Sequence, residues 1–403
     1  MTAADREPGR STARLHGLDA LRGGALVLGI ILHSLMPFLP AGTWVPDDRH
    51  SSVTADTAVT VIHLFRMVLF MMLAGYFGRM VLHRVGVRAY LRDRGVRILL
   101  PLVIFGPVML ASVVAIYLVD GAGQRIAEDD DQSPWFLLLA SPAHLWFLNV
   151  LLQCVAVTVV IRWLLIRGVG PTTVHTWCAR AGNLLATPVL GVLLAALPYL
   201  GALLLQGHIE DGIEEPSTVL PEPVPLLVYL GAFVVGWCLQ GGGTASTRVM
   251  RAWAWNLVAA MALSVAVLTV PDAVPLGIRA ILVAVAGWTW ALGLFGAGVR
   301  FVRRERAWIR YLADASYWMY LIHLPIVMVA GVLLADLTWP VLVKLVVVWT
   351  VCPVLLLGSY DLLVRNTWIG VWLNGRRRPS TLVACFRLPQ SATRPRAAKK
   401  QRH

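Results

Sequence analysis

Apolar runs alternate with short polar segments along the whole chain, and each run is about as long as the ~20 residues a helix needs to cross a bilayer. Ten spans are predicted, at about 17–39, 57–82, 98–119, 142–166, 183–205, 223–240, 252–270, 276–299, 312–334 and 339–363. The segments between them alternate in charge. One carries Arg84, Arg88, Arg92, Arg94 and Arg97, and the next carries Asp120, Glu128, Asp129, Asp130 and Asp131. Arg162, Arg167 and Arg180 follow, then Glu210, Asp211, Glu214, Glu215 and Glu222 with no Lys or Arg. Arg248 and Arg251 mark a later crossing, and Arg300, Arg303, Arg304, Arg306 and Arg310 another. With every basic segment cytoplasmic, ten spans leave both termini on that side, whereas nine or eleven would put a basic loop outside. The expected fold is an all-α integral membrane bundle of about ten transmembrane helices.

Composition narrows the class. Of 403 residues, 58% are hydrophobic and only 14% charged, against about 25% charged in soluble domains, and mean hydropathy is +0.69. The expected organisation is a disordered cytoplasmic N-terminus over 1–15, one membrane domain over 16–365 and a basic cytoplasmic tail over 366–403. From Asn374 to His403 there are nine Lys or Arg and no acid, which fits a tail lying near anionic lipid. With no domain left over, nucleic-acid binding is not expected. The first apolar run is too long for a leader and is read as a retained span, so the protein is placed in the cell inner (plasma) membrane. Cys154, Cys178, Cys238, Cys352 and Cys385 form no CxxC pair, so neither a disulfide framework nor a metal site is expected.

Within span 1, Arg22 and His33 are ionisable residues in an apolar run. Eleven residues is three helical turns, so both lie on one face ~16 Å apart. Intramembrane ionisable groups are costly and point to function, and a neutral histidine suits a general base or an acyl acceptor. Asp19, one turn before Arg22, can pair with it, although Arg22 can also snorkel to headgroups. Arg94 and Arg97 share a face at the entry of span 3, where two guanidiniums can grip phosphates; plain positive-inside charge is the other explanation. Arg66 lies in the first half of span 2, just before the run from Met67 to Tyr76 that ends in Ala74-Gly75-Tyr76. His144 and Trp146 open span 4, where an interfacial Trp is expected in any case. Ser316, Tyr320 and His323 share a face of span 9 before Pro325, as residues lining a site or as helix-to-helix hydrogen bonders. Asp361 is expected to pair with a nearby arginine.

Together these residues resemble acyltransferase family 3, the membrane-bound O-acyltransferases of bacterial glycans. The matching elements, in order, are LDALRG with His33 after Arg22, R-x-x-R at Arg94 and Arg97, FRMVLFMMLAGYF, HLWFL and SYWMYLIHLP. FRM and HLWFL place it nearest the glucans biosynthesis protein C type. Ala74 stands where many members have serine, and no appended SGNH-type esterase domain is expected. The resemblance implies an acyl-CoA donor on the cytoplasmic side, no bound cofactor, and a glycan or other hydroxyl acceptor on the outer side. It implies catalytic His33 and Arg22, CoA phosphates on Arg94 and Arg97, and substrate-lining roles for Arg66, Tyr76, His144, Trp146, Ser316, Tyr320 and His323. Succinyl is suggested by the subgroup and acetyl by the wider family. The alternative from another class is a transporter or flippase for an anionic or lipid-linked glycan.

Overall fold

The computed structural model describes residues 8–40, 44, 46–119, 143–210, 212–302, 304, 306–375 and 377–380. The acidic segment 120–131, residues 1–7 and the tail beyond 380 lie outside them. Every regular element among the described residues is helical.

The helices are α1 (Pro8–Leu35), α2 (Val53–Val85), α3 (Val87–Val119), α4 (Trp146–Val169), α5 (Pro171–Leu185), α6 (Leu190–Gln206) and α7 (Pro223–Gly241). They continue with α8 (Ala245–Arg251), α9 (Trp253–Thr269), α10 (Leu276–Phe301), α11 (Ala307–Ala335), α12 (Val341–Val364) and α13 (Trp368–Asn374). Eight are long and apolar enough to cross a membrane, and up to ten spans result if α5 with α6 and α8 with α9 each count as one bent span. Residues 8–15, expected to lack structure, are the first turns of α1.

The predicted fifth span is where sequence and structure differ. A straight helix over 183–205 was expected from continuous apolarity. Instead, α5 and α6 meet at 103°. Pro188 cannot continue a helix, and the chain reverses in a γ-turn centred on Val189 (φ 61°, ψ −68°), closed by the Leu190 N–H on the Pro188 carbonyl at 2.7 Å. A positive φ at a β-branched residue is strained, so packing holds this corner.

Helix ends elsewhere follow local chemistry. The Ser52 hydroxyl caps α2 by accepting from Ala55 N at 3.3 Å, and Gly86 (φ 83°) separates α2 from α3. A π turn over Gly95–Leu99 carries Arg97 inside α3, and a second over Tyr360–Val364 carries Asp361 inside α12. Asp361 pairs with Arg365 at 3.6 Å, as expected.

Small residues set the tightest crossings, as in membrane bundles generally. A Cβ on Gly75 would stand 1.9 Å from the Phe233 carbonyl oxygen, and one on Gly236 would stand 1.8 Å from that of Met72. The α2–α7 contact therefore tolerates no side chain at either place. A Cβ on Gly17 would meet the Gly298 carbonyl oxygen at 2.3 Å, which seats α1 against α10. Helix α1 also packs on α2 and α11, so the helix bearing Arg22 and His33 is central, while α3 and α12 turn much of their surface outward.

Candidate functional site

Helices α1, α2, α3, α4 and α11 enclose a cavity of about 830 Å³, within the range of ligand pockets. One end carries Arg22, Arg94, Arg97, Arg304, Arg306 and Arg310; the other carries His33, Trp44, Arg66, His144 and Glu215. These are called the arginine end and the loop end. Arg22 and His33 both line it, as their shared helical face requires. Trp146, Ser316, Tyr320 and His323 line it too.

Tyr76 does not. Its ring packs edge-on against Phe295 at 5.6 Å, and its hydroxyl lies 3.3 Å from Ser246 Oγ. It sits on the face of α2 turned away from the cavity, next to the Gly75 crossing, so this part of the motif serves packing.

At the arginine end, Arg22 Nη2 is 4.0 Å from Asp19 and donates to the Ala313 carbonyl at 3.2 Å. The backbone of α11, more than Asp19, orients it. Asp93 lies between two of the arginines of α3, 3.6 Å from Arg94 and 3.1 Å from Arg97. Arg94 also lies over the Tyr90 ring at 5.0 Å. The Tyr317 hydroxyl donates to the Arg97 carbonyl, tying the π turn to α11.

At the loop end three histidines from distant parts of the chain converge. The His33 ring is 5.3 Å from His323, and His323 is 5.5 Å from His144. Trp44 stacks on His33 at 5.7 Å. All three histidines are buried. His33 Nδ1 and both His144 ring nitrogens have no hydrogen bond of ordinary geometry with a described residue.

His323 is different. Its Nδ1 faces the Tyr320 carbonyl at 2.9 Å. A carbonyl only accepts, so Nδ1 carries the proton and, in the neutral ring, Nε2 holds the lone pair. Its neighbours on α11 are already engaged: Ser316 Oγ donates to the Ala313 carbonyl at 2.8 Å, and the Tyr320 hydroxyl to the His144 carbonyl at 2.9 Å. Pro325 is absorbed into a helix that runs on to Ala335.

Arg66 is buried against α1, where a Cβ on Gly29 would come within 2.7 Å of its Nη1. Its Nε has no partner among the described residues. Glu215 keeps accessible surface inside the cavity although the fold surrounds it. That enclosure pushes its carboxyl pKa upward, while Arg66 and Trp146 pull the other way.

Trp44, Glu215, Arg304 and Arg306 reach the site without a motif to mark them. Lys344 does carry a sequence signal, being a cation inside an apolar run. It is fully buried, 2.5 Å from Asp48 and 3.1 Å from the Ala335 carbonyl. Asp48 also accepts from His50 N at 2.9 Å. This pair fastens the segment after α1, and with it Trp44, to α11 and α12.

The family model for acyltransferase family 3, described as an acyltransferase domain, matches residues 15–358. Glucans biosynthesis protein C of Escherichia coli (strain K12) and of Shigella boydii serotype 4 (strain Sb227) are each 27% identical over 157 residues, 38% of this chain. The match spans 39% of the length of each of these relatives. No solved structure matches. A helical bundle of membrane-spanning length, with a cavity linking a cluster of arginines to buried histidines, carries the family's pattern over most of its length, and the chain belongs to acyltransferase family 3.

Proposed function

We propose that the protein moves an acyl group, succinyl or acetyl, from acyl-CoA at the arginine end to a hydroxyl of a glycan at the loop end. One observation carries this reading: a single cavity joins the two ends. Arg94, Arg97, Arg304, Arg306 and Arg310, from two of the basic segments, stand at the arginine end, which by the positive-inside rule faces the cytoplasm of a plasma (inner) membrane, with both termini there.

Arg94 and Arg97 grip the CoA phosphates. Their guanidiniums are already pre-set by Asp93, and bidentate Arg–phosphate contacts are among the stronger hydrogen bonds. The pantetheine arm follows α1 past Arg22 towards His33. His33 takes the proton of the acceptor hydroxyl as its oxygen bonds to the thioester carbonyl carbon. The C–S bond then breaks, and the CoA thiolate leaves and collects a proton. His323, with its tautomer fixed, stands beside His33 to receive or relay that proton. Arg22, three turns before His33, orients the arm, and Arg66, at the end that holds His33, faces the negative charge that develops on the carbonyl oxygen.

Donor binding is tested by thermal stabilisation of the solubilised protein. A ligand at about 100 times its Kd stabilises by about 2.7 kcal/mol. Acetyl-CoA or succinyl-CoA is expected to raise the melting temperature of wild type and to lose most of that effect in Arg94→Ala/Arg97→Ala. A double variant stabilised as well as wild type would refute the donor site.

A further inference from the structure

We propose that the loop end of the cavity is a saccharide subsite, in which Glu215 and Arg66 hold one acceptor hydroxyl from two sides, beside the Trp44 ring. The proposal rests on the acyl-transfer reading and specifies where and how the acceptor sits.

Three acids line the cavity: Asp19, Asp314 and Glu215. The first two belong to the arginine end and have cations beside them, Asp19 at 4.0 Å from Arg22 and Asp314 at 2.9 Å from Arg378. Glu215 is at the other end and forms no ion-pair contact with a described residue. Arg66 lines the same end without an ion-pair contact to it, and its Nε, in a residue 7% exposed, has no partner among the described residues. Two opposite charges at one end of a cavity, not in contact with each other, select for a group that satisfies both. A free carboxylate would suit only Arg66 and an ammonium only Glu215. A hydroxyl donates to the carboxylate and accepts from the guanidinium. Adjacent hydroxyls on a sugar ring use the remaining donor and acceptor positions.

One flanking surface fits the same ligand. Trp44, half-buried at the cavity wall, offers a broad apolar face with a polar edge, suited to the C–H face of a pyranose ring. Trp44 is itself stacked on His33, so a sugar resting there brings a neighbouring hydroxyl to the histidine.

Glu215 is also held in place before any ligand arrives. Asn149 Nδ2 donates to the Val219 carbonyl at 3.2 Å, as does Gln153 Nε2 at 3.2 Å. Glu222 accepts from the Ser217 and Thr218 N–H groups at 2.9 and 3.1 Å. On the other side of Glu215, Gln206 donates to the Gly212 carbonyl at 2.8 Å and accepts from Glu214 N at 3.1 Å. A loop pinned on both sides of the binding residue avoids ordering costs on association.

The test uses the full-length protein and a linear glucose tetrasaccharide, with thermal stabilisation and acceptor KM as readouts. Wild type is expected to bind the tetrasaccharide saturably. Glu215→Gln should bind it roughly tenfold or more weakly, since the amide keeps an acceptor but loses the charge that strengthens the hydrogen bond, while stabilisation by acyl-CoA stays as in wild type. Trp44→Ala should weaken the same ligand, and Glu215→Asp should fall between wild type and Glu215→Gln. Equal binding by wild type and Glu215→Gln, or no saturable binding by wild type, would overturn the subsite. A wild type that binds tetrasaccharide but not acyl-CoA would instead remove the donor reading and leave the subsite standing.

Discussion

Replacing His33 by alanine is expected to lower acyl transfer by about 10²- to 10⁴-fold, the usual contribution of a positioned general base. The loss should fall on kcat, with acyl-CoA stabilisation retained, because the phosphate-gripping arginines lie at the other end of the cavity. His33 is chosen over its neighbours on geometry. His323 spends Nδ1 on the Tyr320 carbonyl, and His144 is two rings away from Trp44, behind His323. His323→Ala should therefore cost less than His33→Ala, through loss of a proton relay. Rates measured on the purified variants decide between them. A His33→Ala enzyme within a few-fold of wild type, with His323→Ala inactive, would move the base to His323.

The second large effect concerns Lys344. Changing it to methionine leaves Asp48, with a side chain 2% exposed, as a buried charge without its cation. Breaking a buried pair by removing one partner costs about 3–5 kcal/mol, whereas replacing both by apolar groups is often close to neutral. Lys344→Met is thus expected to lower the melting temperature sharply, and Lys344→Met/Asp48→Leu to recover part of the loss. Because the pair anchors the segment carrying Trp44, the single variant should also weaken acceptor use. A double variant no more stable than the single one would show that the charge pair is not the cause.

How much of this was legible in the sequence depended on whether the signal was local. Most spans with uninterrupted apolarity and basic ends were placed within a few residues, since length and flanking charge are properties of the run itself, although α3 begins at Val87, ahead of the run predicted from 98. The α5–α6 corner was not, because Leu184, Leu185, Val189 and Leu190 are apolar on both sides of the bend and only Pro188 marks it. Arg22 and His33 were found together because three turns of one helix fix their common face. The meeting of His33 with His144 and His323 was not legible: each alone reads as a structural histidine, and only the packing of α1 against α11 and the turn before α4 joins them. Trp44 and Glu215 come from loops, where no periodicity says which way a side chain points. Tyr76 erred in the opposite direction: its motif was visible, yet the adjacent Gly75 explains the motif through helix packing.

The central claim is that one cavity carries an acyl group from a CoA thioester at the arginine end to a hydroxyl at the loop end. Purified protein reconstituted in liposomes, with labelled acyl-CoA on the arginine side and a glucose tetrasaccharide on the other, tests it most directly by mass spectrometry of the saccharide. The expected result is an O-acylated tetrasaccharide in wild-type vesicles and none above background with His33→Ala. Acyl-CoA consumed with no acylated saccharide on the far side, or equal product from His33→Ala vesicles, would contradict it.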